Sequence, residues 1–442
     1  MACGRGGRRR RPARTKKKRC PVSTEATSGR RLPPALRLGN AGVLYALVLL
    51  VLVLTFAAQA QGRVFYLGPT NVANILDQTT LIGLMAITTT LVLISGNFDL
   101  SVGAVAALGA SVCLSLAGTI GFWPALFAAL ATGALIGLFN GVVVQYFGIN
   151  AFIVTLGTMT AVRGIVLIVT DGRTVSASDG AVRDGLRAID GGSWITPNLY
   201  LLAGLAVLAV GGWRAFRARR WRPARILVPL LAGAGLVAAS PVAIFTIEIT
   251  QRTLYLLALA AVAAWVLRYT TIGRRLYASG GNPEAARLSG IAVDRYKVVA
   301  FVLNGTVASL VGVLYAARLG SINPSALTGF ELTALAAAIL GGTSLFGGLG
   351  SVGKSLVGAL ILITLRNGFN ILNLGANWQG LVEGIVLIVA AGVYTISLRR
   401  GRTRRIREAE PAAPDEAEPD PPPPPEKLAA SAHGGAADRK DG

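Results

Sequence analysis

Charge is what this 442-residue chain lacks over long stretches: from Leu100 to Val162 there is not one Asp, Glu, Lys or Arg. Only 14% of the chain is charged and 53% is hydrophobic, whereas soluble domains carry about a quarter charged residues. No water-soluble domain hides such a run, so a soluble enzyme is excluded. Histidine is nearly absent; His433 sits alone in a polar tail, which leaves no basis for histidine acid–base chemistry. The three cysteines, Cys3, Cys20 and Cys113, have no metal-ligand spacing. Neither a disulfide, a metal site nor a bound cofactor is expected.

What is present is a series of uncharged apolar runs, each about long enough to cross a bilayer. They are continuous rather than alternating, which favours helices over a barrel. The predicted fold class is all-α, a polytopic transmembrane helix bundle. Twelve spans are expected, near 42–60, 75–95, 102–120, 123–146, 152–170, 199–212, 226–247, 253–267, 298–318, 330–345, 355–372 and 378–398. Basic residues cluster in residues 1–40, in WRAFRARRWRPAR (213–225), in the 268–297 loop and after the last span. Twelve spans put all four clusters on one face, the cytoplasmic one, with both termini inside. Residues 1–40 read as a disordered basic head, 41–398 as the transmembrane domain and 399–442 as a disordered tail, basic and then rich in Pro and acids. The basic head reads as a topology and anionic-lipid signal rather than a nucleic-acid site. A weak inverted repeat is present: GALIGLFNG (133–141) resembles GALILITLRNG (358–368), and VGAVAALGAS (102–111) resembles LTALAAAILGGTS (332–344). Such repeats frame the pathway of many transporters.

The polar island GRRLYASGGNPEAARLSGI (273–291) carries clear helix signals. Asn282 suits the N-cap, Pro283 the first helical position, Glu284 the first turn and Gly290 the C′ position. A helix from 283 to 289 is too short to stand alone in water, so it must pack on something. Its flanks hold six cations against two acids. Two readings stay open, a docking helix for a soluble partner and an ordinary connecting loop. Gly133, Gly137 and Gly141 form a small-xxx-small stripe for close helix packing. In GNFDLSVG (96–103), Asp99 is either a helix cap or a functional acid at membrane depth. Arg163 either faces the interior or snorkels. Glu331, Arg366 and Glu383 are the other ionisable groups near apolar runs; Arg366 and Glu383 are a candidate ion pair. Phe98, Phe152, Tyr315 and Trp378 offer ring faces, with packing as the plainer role. GLGSVGKS (348–355) fits the phosphate-loop pattern. Its place between two spans, with no strand before it, favours a tight Gly-rich turn.

Several of these stretches together resemble the ribose/xylose-type sugar permeases of ATP-binding-cassette importers: GRRLYASGGNPEAARLSGI, GNFDLSVG, FIVTLGTMTAVRG and ELTALAAAILGGTSLFGGLGSVGKSLVGALI. The resemblance covers about 70–395 apart from 175–250. Ten spans are usual in the ribose-type members, and the pair 199–247 looks like the extra pair of the longer xylose-type ones. The resemblance implies a permease subunit, not an enzyme, with ATP hydrolysis in a separate subunit. It implies a homodimer in the cell membrane, served by an extracytoplasmic sugar-binding protein. It assigns ATPase coupling to Gly280, Gly281, Asn282, Pro283, Glu284, Ala285, Arg287, Leu288 and Gly290, and makes Asn97, Asp99, Ser101 and Glu331 candidate pathway residues. Arg366 and Glu383 depart from the family, where Asn and Lys are commoner. The competing class is a proton-coupled secondary carrier, which would want paired carboxylates or histidines within its spans.

Overall fold

The computed structural model describes residues 38–62, 65–177, 179–191, 193–195 and 249–375, with isolated positions between 205 and 237 and between 378 and 392. The expected spans at 199–212, 226–247 and 378–398, the basic head and the tail lie outside the described residues or touch them only at isolated positions. In chain order the helices are α1 (Leu38–Ala60), α2 (Pro69–Ile94), α3 (Val102–Ile120), α4 (Phe122–Tyr146) and α5 (Ala151–Val169). They continue with α6 (Gly180–Asp190), α7 (Gln251–Tyr269), α8 (Thr271–Gly281), α9 (Pro283–Leu288), α10 (Val293–Leu319), α11 (Phe330–Leu340) and α12 (Val352–Leu372). Among the described residues eight helices, α1–α5, α7, α10 and α12, are long and apolar enough to cross a membrane. The chain is a polytopic helical bundle.

Two short antiparallel ladders brace the chain between helices. Strand β1 (Val175–Ser176) pairs with β4 (Ser321–Ile322). Strand β2 (Ser193–Ile195) pairs with β3 (Ile249–Thr250) through an irregular register. Between β1 and β2 in the chain lies α6, a helix in the stretch between the spans expected at 152–170 and 199–212. Val182, Leu186 and Ile189 form its buried stripe, the i, i+4, i+7 spacing of an amphipathic helix. An ionic cluster ties α6 to the bundle. Arg252 Nε lies 2.9 Å from Asp190 Oδ1, Arg252 Nη2 lies 3.0 Å from Asp77 Oδ1, and Arg318 Nη1 lies 3.3 Å from Asp77 Oδ2. Burial raises the Asp190 carboxyl above its usual range, Arg252 and Arg318 pull it back and Asp77 pushes it further up. This cluster marks one end of the bundle; α8 and α9 mark the other.

Helix α10 is the axle. Its closest neighbour is α4, through the glycine stripe. Gly133 faces the Gly305 carbonyl, Gly137 the Phe301 carbonyl and Gly141 the Cα of Val298. Gly312 lies against the Ala106 carbonyl of α3, and Ser309 donates to the Ala129 carbonyl at 2.6 Å. Without a hydrophobic drive between helices in lipid, such backbone approach supplies the association energy.

Two helices are broken. Helix α2 stops at Ile94, and residues 95–101 run without helical structure to α3. The span expected at 330–345 ends at Leu340. Gly342 takes φ +81°; its N–H bonds the Ile339 carbonyl, and Thr343 N–H bonds the Ala338 carbonyl. That is a Schellman stop. An 11-residue α11 is about 16 Å long, about half the hydrocarbon thickness.

The glycine seam gives a direct test. Gly137→Ala would drive a methyl group into the Phe301 carbonyl, and should cost about 1–3 kcal/mol. Gly157→Ala on α5, where nothing lies within 4 Å, should be neutral or mildly stabilising. Thermal unfolding of the two variants in detergent, read side by side, checks the pair.

Candidate functional site

At the α9 end the polar island folds as two helices. Residues 271–281, expected as loop, form α8. The Thr270 hydroxyl caps it, accepting from Gly273 N–H at 3.3 Å, and Leu276 and Ser279 are buried beneath it. Gly273 has no room for a side chain because it sits against the Leu267 backbone, which makes the corner from α7. Helix α9 follows the sequence signals closely. Asn282 Oδ1 accepts from Ala285 N–H at 3.0 Å, with Pro283 at the first position and Glu284 in the first turn. Gly290, at φ +76°, closes it: its N–H bonds the Arg287 carbonyl, and Ile291 N–H bonds the Ala286 carbonyl. Arg287 Nη2 donates to Asp294 Oδ1 at 2.6 Å, pinning α9 to the start of α10. Only Ala286 of α9 is buried. Leu288 is 91% exposed.

The hook formed by α8 and α9 is seated on both helix breaks. Gly280 packs on the Ile94 carbonyl, which accepts a 2.9 Å hydrogen bond from Gly348 N–H. Gly347 and Gly348, both at positive φ, lie against Gly280 and Gly281. Tyr277 OH donates to the Gly350 carbonyl at 2.7 Å, and burial raises its phenol above the usual value. The three polar stretches that are separate in the sequence, 96–103, 273–291 and 341–351, therefore meet at one end.

Above the hook, Asp99 ties four helices together. Its Oδ1 accepts from Ser101 N–H at 3.0 Å and from Ser101 Oγ at 2.6 Å, and its Oδ2 accepts from Asn304 Nδ2 of α10 at 2.9 Å. Asn140 Nδ2 of α4 donates to Ser101 Oγ at 3.0 Å, and Thr158 Oγ1 of α5 donates to Asn140 Oδ1 at 2.6 Å. All five residues are buried. Asp99 shapes the entry to α3 as an Asx turn; the N-cap position itself is Ser101. Glu331 is buried at the start of α11, where it accepts from Gly329 N–H at 3.2 Å and touches Gly103. Arg163 Nη2 lies 3.8 Å from its Oε1, while Arg163 Nη1 donates to Thr328 Oγ1 at 2.8 Å. Arg163 thus faces the interior.

Asn97 lies outside the Asp99 network; its Nδ2 donates to Ser95 Oγ at 3.1 Å. With Phe98, Gln145, Asn150, Phe152 and Lys297 it lines a cavity of about 770 Å³. The Gln145 amide reaches Asn97 Oδ1 at 3.5 Å. Asp99, Ser101 and Glu331 are not among its lining residues. Of the aromatic candidates, Phe98 and Phe152 line it, and Tyr315 stacks edge-on against Phe330 elsewhere. Arg366 lies in α12, and Glu383 is outside the described residues.

Sequence reasoning missed Phe346 and Leu349. They are 85% and 56% exposed beside the hook; their only signal was apolar character inside a Gly-rich turn. The phosphate-loop pattern does not form such a loop. It follows helix α11, and Ser355 is buried, accepting from Thr90 Oγ1 at 2.8 Å and bonding the Ser351 carbonyl. Among the described residues no cluster of His, Cys, Asp and Glu could hold a metal ion, and Cys113 is a buried free thiol.

Comparison with known proteins matches residues 71–391 to a family model described as branched-chain amino acid transport system / permease component. The xylose transport system permease protein XylH of Escherichia coli (strain K12) is 35% identical over 349 residues, covering 76% of this chain and 87% of that protein. The ribose import permease protein RbsC of the same organism is 34% identical over 372 residues, 84% of this chain and 98% of that protein. XylH of Haemophilus influenzae (strain ATCC 51907 / DSM 11121 / KW20 / Rd) is 33% identical over 378 residues, 82% and 98% of the two chains. No solved structure matches. Such a permease is a transport subunit rather than an enzyme, and implies an ATP-binding subunit and a separate binding protein as companions. With the match covering most of the bundle, the chain belongs to the branched-chain amino acid transport system / permease component family.

Proposed function

We propose that this chain is the membrane subunit of an ATP-driven importer of a monosaccharide of the xylose or ribose type. It receives its substrate from an extracytoplasmic binding protein and is driven by a separate ATPase that grips the 273–297 segment. The observation that carries this reading is the hook itself. Helix α9 is capped at both ends, braced by Arg287 and Asp294, and yet holds Leu288 almost wholly exposed. An apolar side chain fixed outward, at the end of the bundle where Phe346 and Leu349 are also exposed, is the chemistry of a docking knob. The ATPase contact is assigned to Asn282, Pro283, Glu284, Ala285, Arg287, Leu288 and Gly290. Gly280 and Gly281 serve coupling from the opposite side, by seating the hook on the bundle. Asn97 is the pathway residue that meets the cavity; Asp99, Ser101 and Glu331 hold its walls. The names of the relatives favour a sugar, and so does a cavity that offers the amides of Asn97, Gln145 and Asn150 and no carboxylate among its described lining residues. Apolar faces on α4 and α5, with Leu135, Phe139, Ile153 and Leu156 exposed, suit lipid and a second copy of the chain. Both termini lie in the cytoplasm on this reading.

Two outcomes are expected. Glu284→Ala with Arg287→Ala should cut uptake about tenfold or more, since both side chains are exposed and belong to the docking knob. Membrane insertion should be intact, and normal uptake in the double variant removes the assignment. In a chain whose three cysteines are changed to Ser, Glu284→Cys should react with a membrane-impermeant thiol reagent only after the cell membrane is opened. Reaction in sealed cells would place the hook outside.

A further inference from the structure

Three cavities follow one another along α11, each sharing a wall with the next. The first, of about 310 Å³, lies at the end that holds the ionic cluster and is lined by Gln78, Tyr315, Arg318, Phe330 and Arg366. The second, of about 430 Å³, shares Phe330 and Arg366 with the first and adds Thr328, Leu332 and Thr333. The third is the cavity of about 770 Å³ beside Asn97, and it shares Leu332 with the second. Each volume falls within the range of about 300–1,000 Å³ typical of small-molecule sites.

We infer that the solute path runs along the short helix α11, past Phe330 and then Leu332, and that Leu332 is the apolar constriction between its outer and inner halves. This rests on the importer reading for its direction and its cargo. The physical reasons are on α11 itself. Because the helix ends at Leu340, the third cavity opens beside its last turn, where Ile339 and Leu345 line it. Glu331, between the two wall residues, turns away from the cavities into the bundle, where Arg163 pairs with it. Among the described lining residues of the three cavities none is a carboxylate. Amide, hydroxyl and phenol groups recur along the route: Gln78 and Tyr315, then Thr328 and Thr333, then Asn97 and Gln145. A neutral polyol exchanges water for such groups at little cost, and the charged groups on the route, Arg318, Arg366 and Lys297, are all cations, so it carries no site that would trap a cation. Leu332 is 55% exposed and unbranched at Cβ, so it swings between rotamers more readily than a β-branched side chain. An apolar side chain at a narrow point closes a path by excluding water and opens it by a small displacement.

The test uses the full chain in membrane vesicles with its ATP-binding subunit, in the background with the three cysteines changed to Ser. Leu332→Cys and Leu335→Cys, the latter on the inner cavity wall, are compared with Leu135→Cys, which is mid-helix on α4 and 64% exposed. A charged, water-soluble methanethiosulfonate cannot enter hydrocarbon, so the two path positions should react about tenfold faster than Leu135→Cys. Leu332→Trp should lower uptake of xylose or ribose about tenfold while chain assembled with the ATPase stays at the unsubstituted level. Path positions as inert as Leu135→Cys, or full uptake by Leu332→Trp, overturn the inference. The labelling contrast needs no knowledge of the cargo. Fast labelling without sugar uptake by the unsubstituted chain would therefore support the path and refute the sugar.

Discussion

One hydrogen bond carries more of this structure than its size suggests: Gly348 N–H to the Ile94 carbonyl, at 2.9 Å, with Gly280 pressed against the same carbonyl. Within a membrane protein, backbone that leaves the helix must find partners inside the protein. Both breaks, after Ile94 and after Leu340, face that demand, and they meet it by leaning on each other. Glycine is required at the contact, since a Cβ on Gly280 would overlap the Ile94 carbonyl and one on Gly347 would overlap the backbone of Gly96 and Gly280. The hook is therefore part of how the breaks are satisfied, not an appendage to a finished bundle.

The second constraint lies deeper. Asp99 is 4% exposed, and a carboxylate there is tolerable only with its oxygens occupied. Ser101 and Asn304 occupy them, and Asn140 and Thr158 extend the network to α4 and α5. Removing one partner would leave a buried polar group unsatisfied at about 1–3 kcal/mol or more, so the network fixes how α3, α4, α5 and α10 meet. The glycine seam between α4 and α10 then brings those helices close enough for such short side chains to reach.

Features governed by local chemistry were legible in the sequence. The caps of α9, from Asn282 to Gly290, depend on residues within a few positions of each other. The stripe of Gly133, Gly137 and Gly141 shows itself by spacing alone, and the spans by the length of their apolar runs. What was illegible depends on distant partners. Helix α8 has two glycines at its end and weak intrinsic preference; packing of Leu276 and Tyr277 decides it. Arg163 and Glu331 are far apart in sequence, so nothing local chooses interior pairing over snorkelling. The shortness of α11 hung on whether Gly341 and Gly342 stop a helix or merely sit in it. The motif at 348–355 shows the converse: every fixed position matches, but a preceding helix and a buried Ser355 make it a turn that seats the hook.

This arrangement gives the proposed coupling a mechanical basis. The residues gripped at Gly280 lie on one side of the 95–101 segment, and Gly96, Asn97 and Phe98 of that same segment form a wall of the cavity of about 770 Å³. Leu345, just before the turn that holds Gly347 and Gly348, lines it as well. A force on α9 reaches α8 directly, because they adjoin at Asn282, and it reaches both turns through contacts that have no slack for a side chain. The cavity wall at Gly96, Asn97, Phe98 and Leu345 is thus next to the contacts that seat the hook. The ionic cluster of Arg252, Asp77, Asp190 and Arg318 holds the far ends of α2, α7 and α10 together. Anchored at one end and, on the proposed coupling, pulled at the other, these helices would tilt so that the end beside the hook moves more than the end that holds the ionic cluster. Such a lever would make the narrow point on α11 the place where a small tilt has its largest effect on passage.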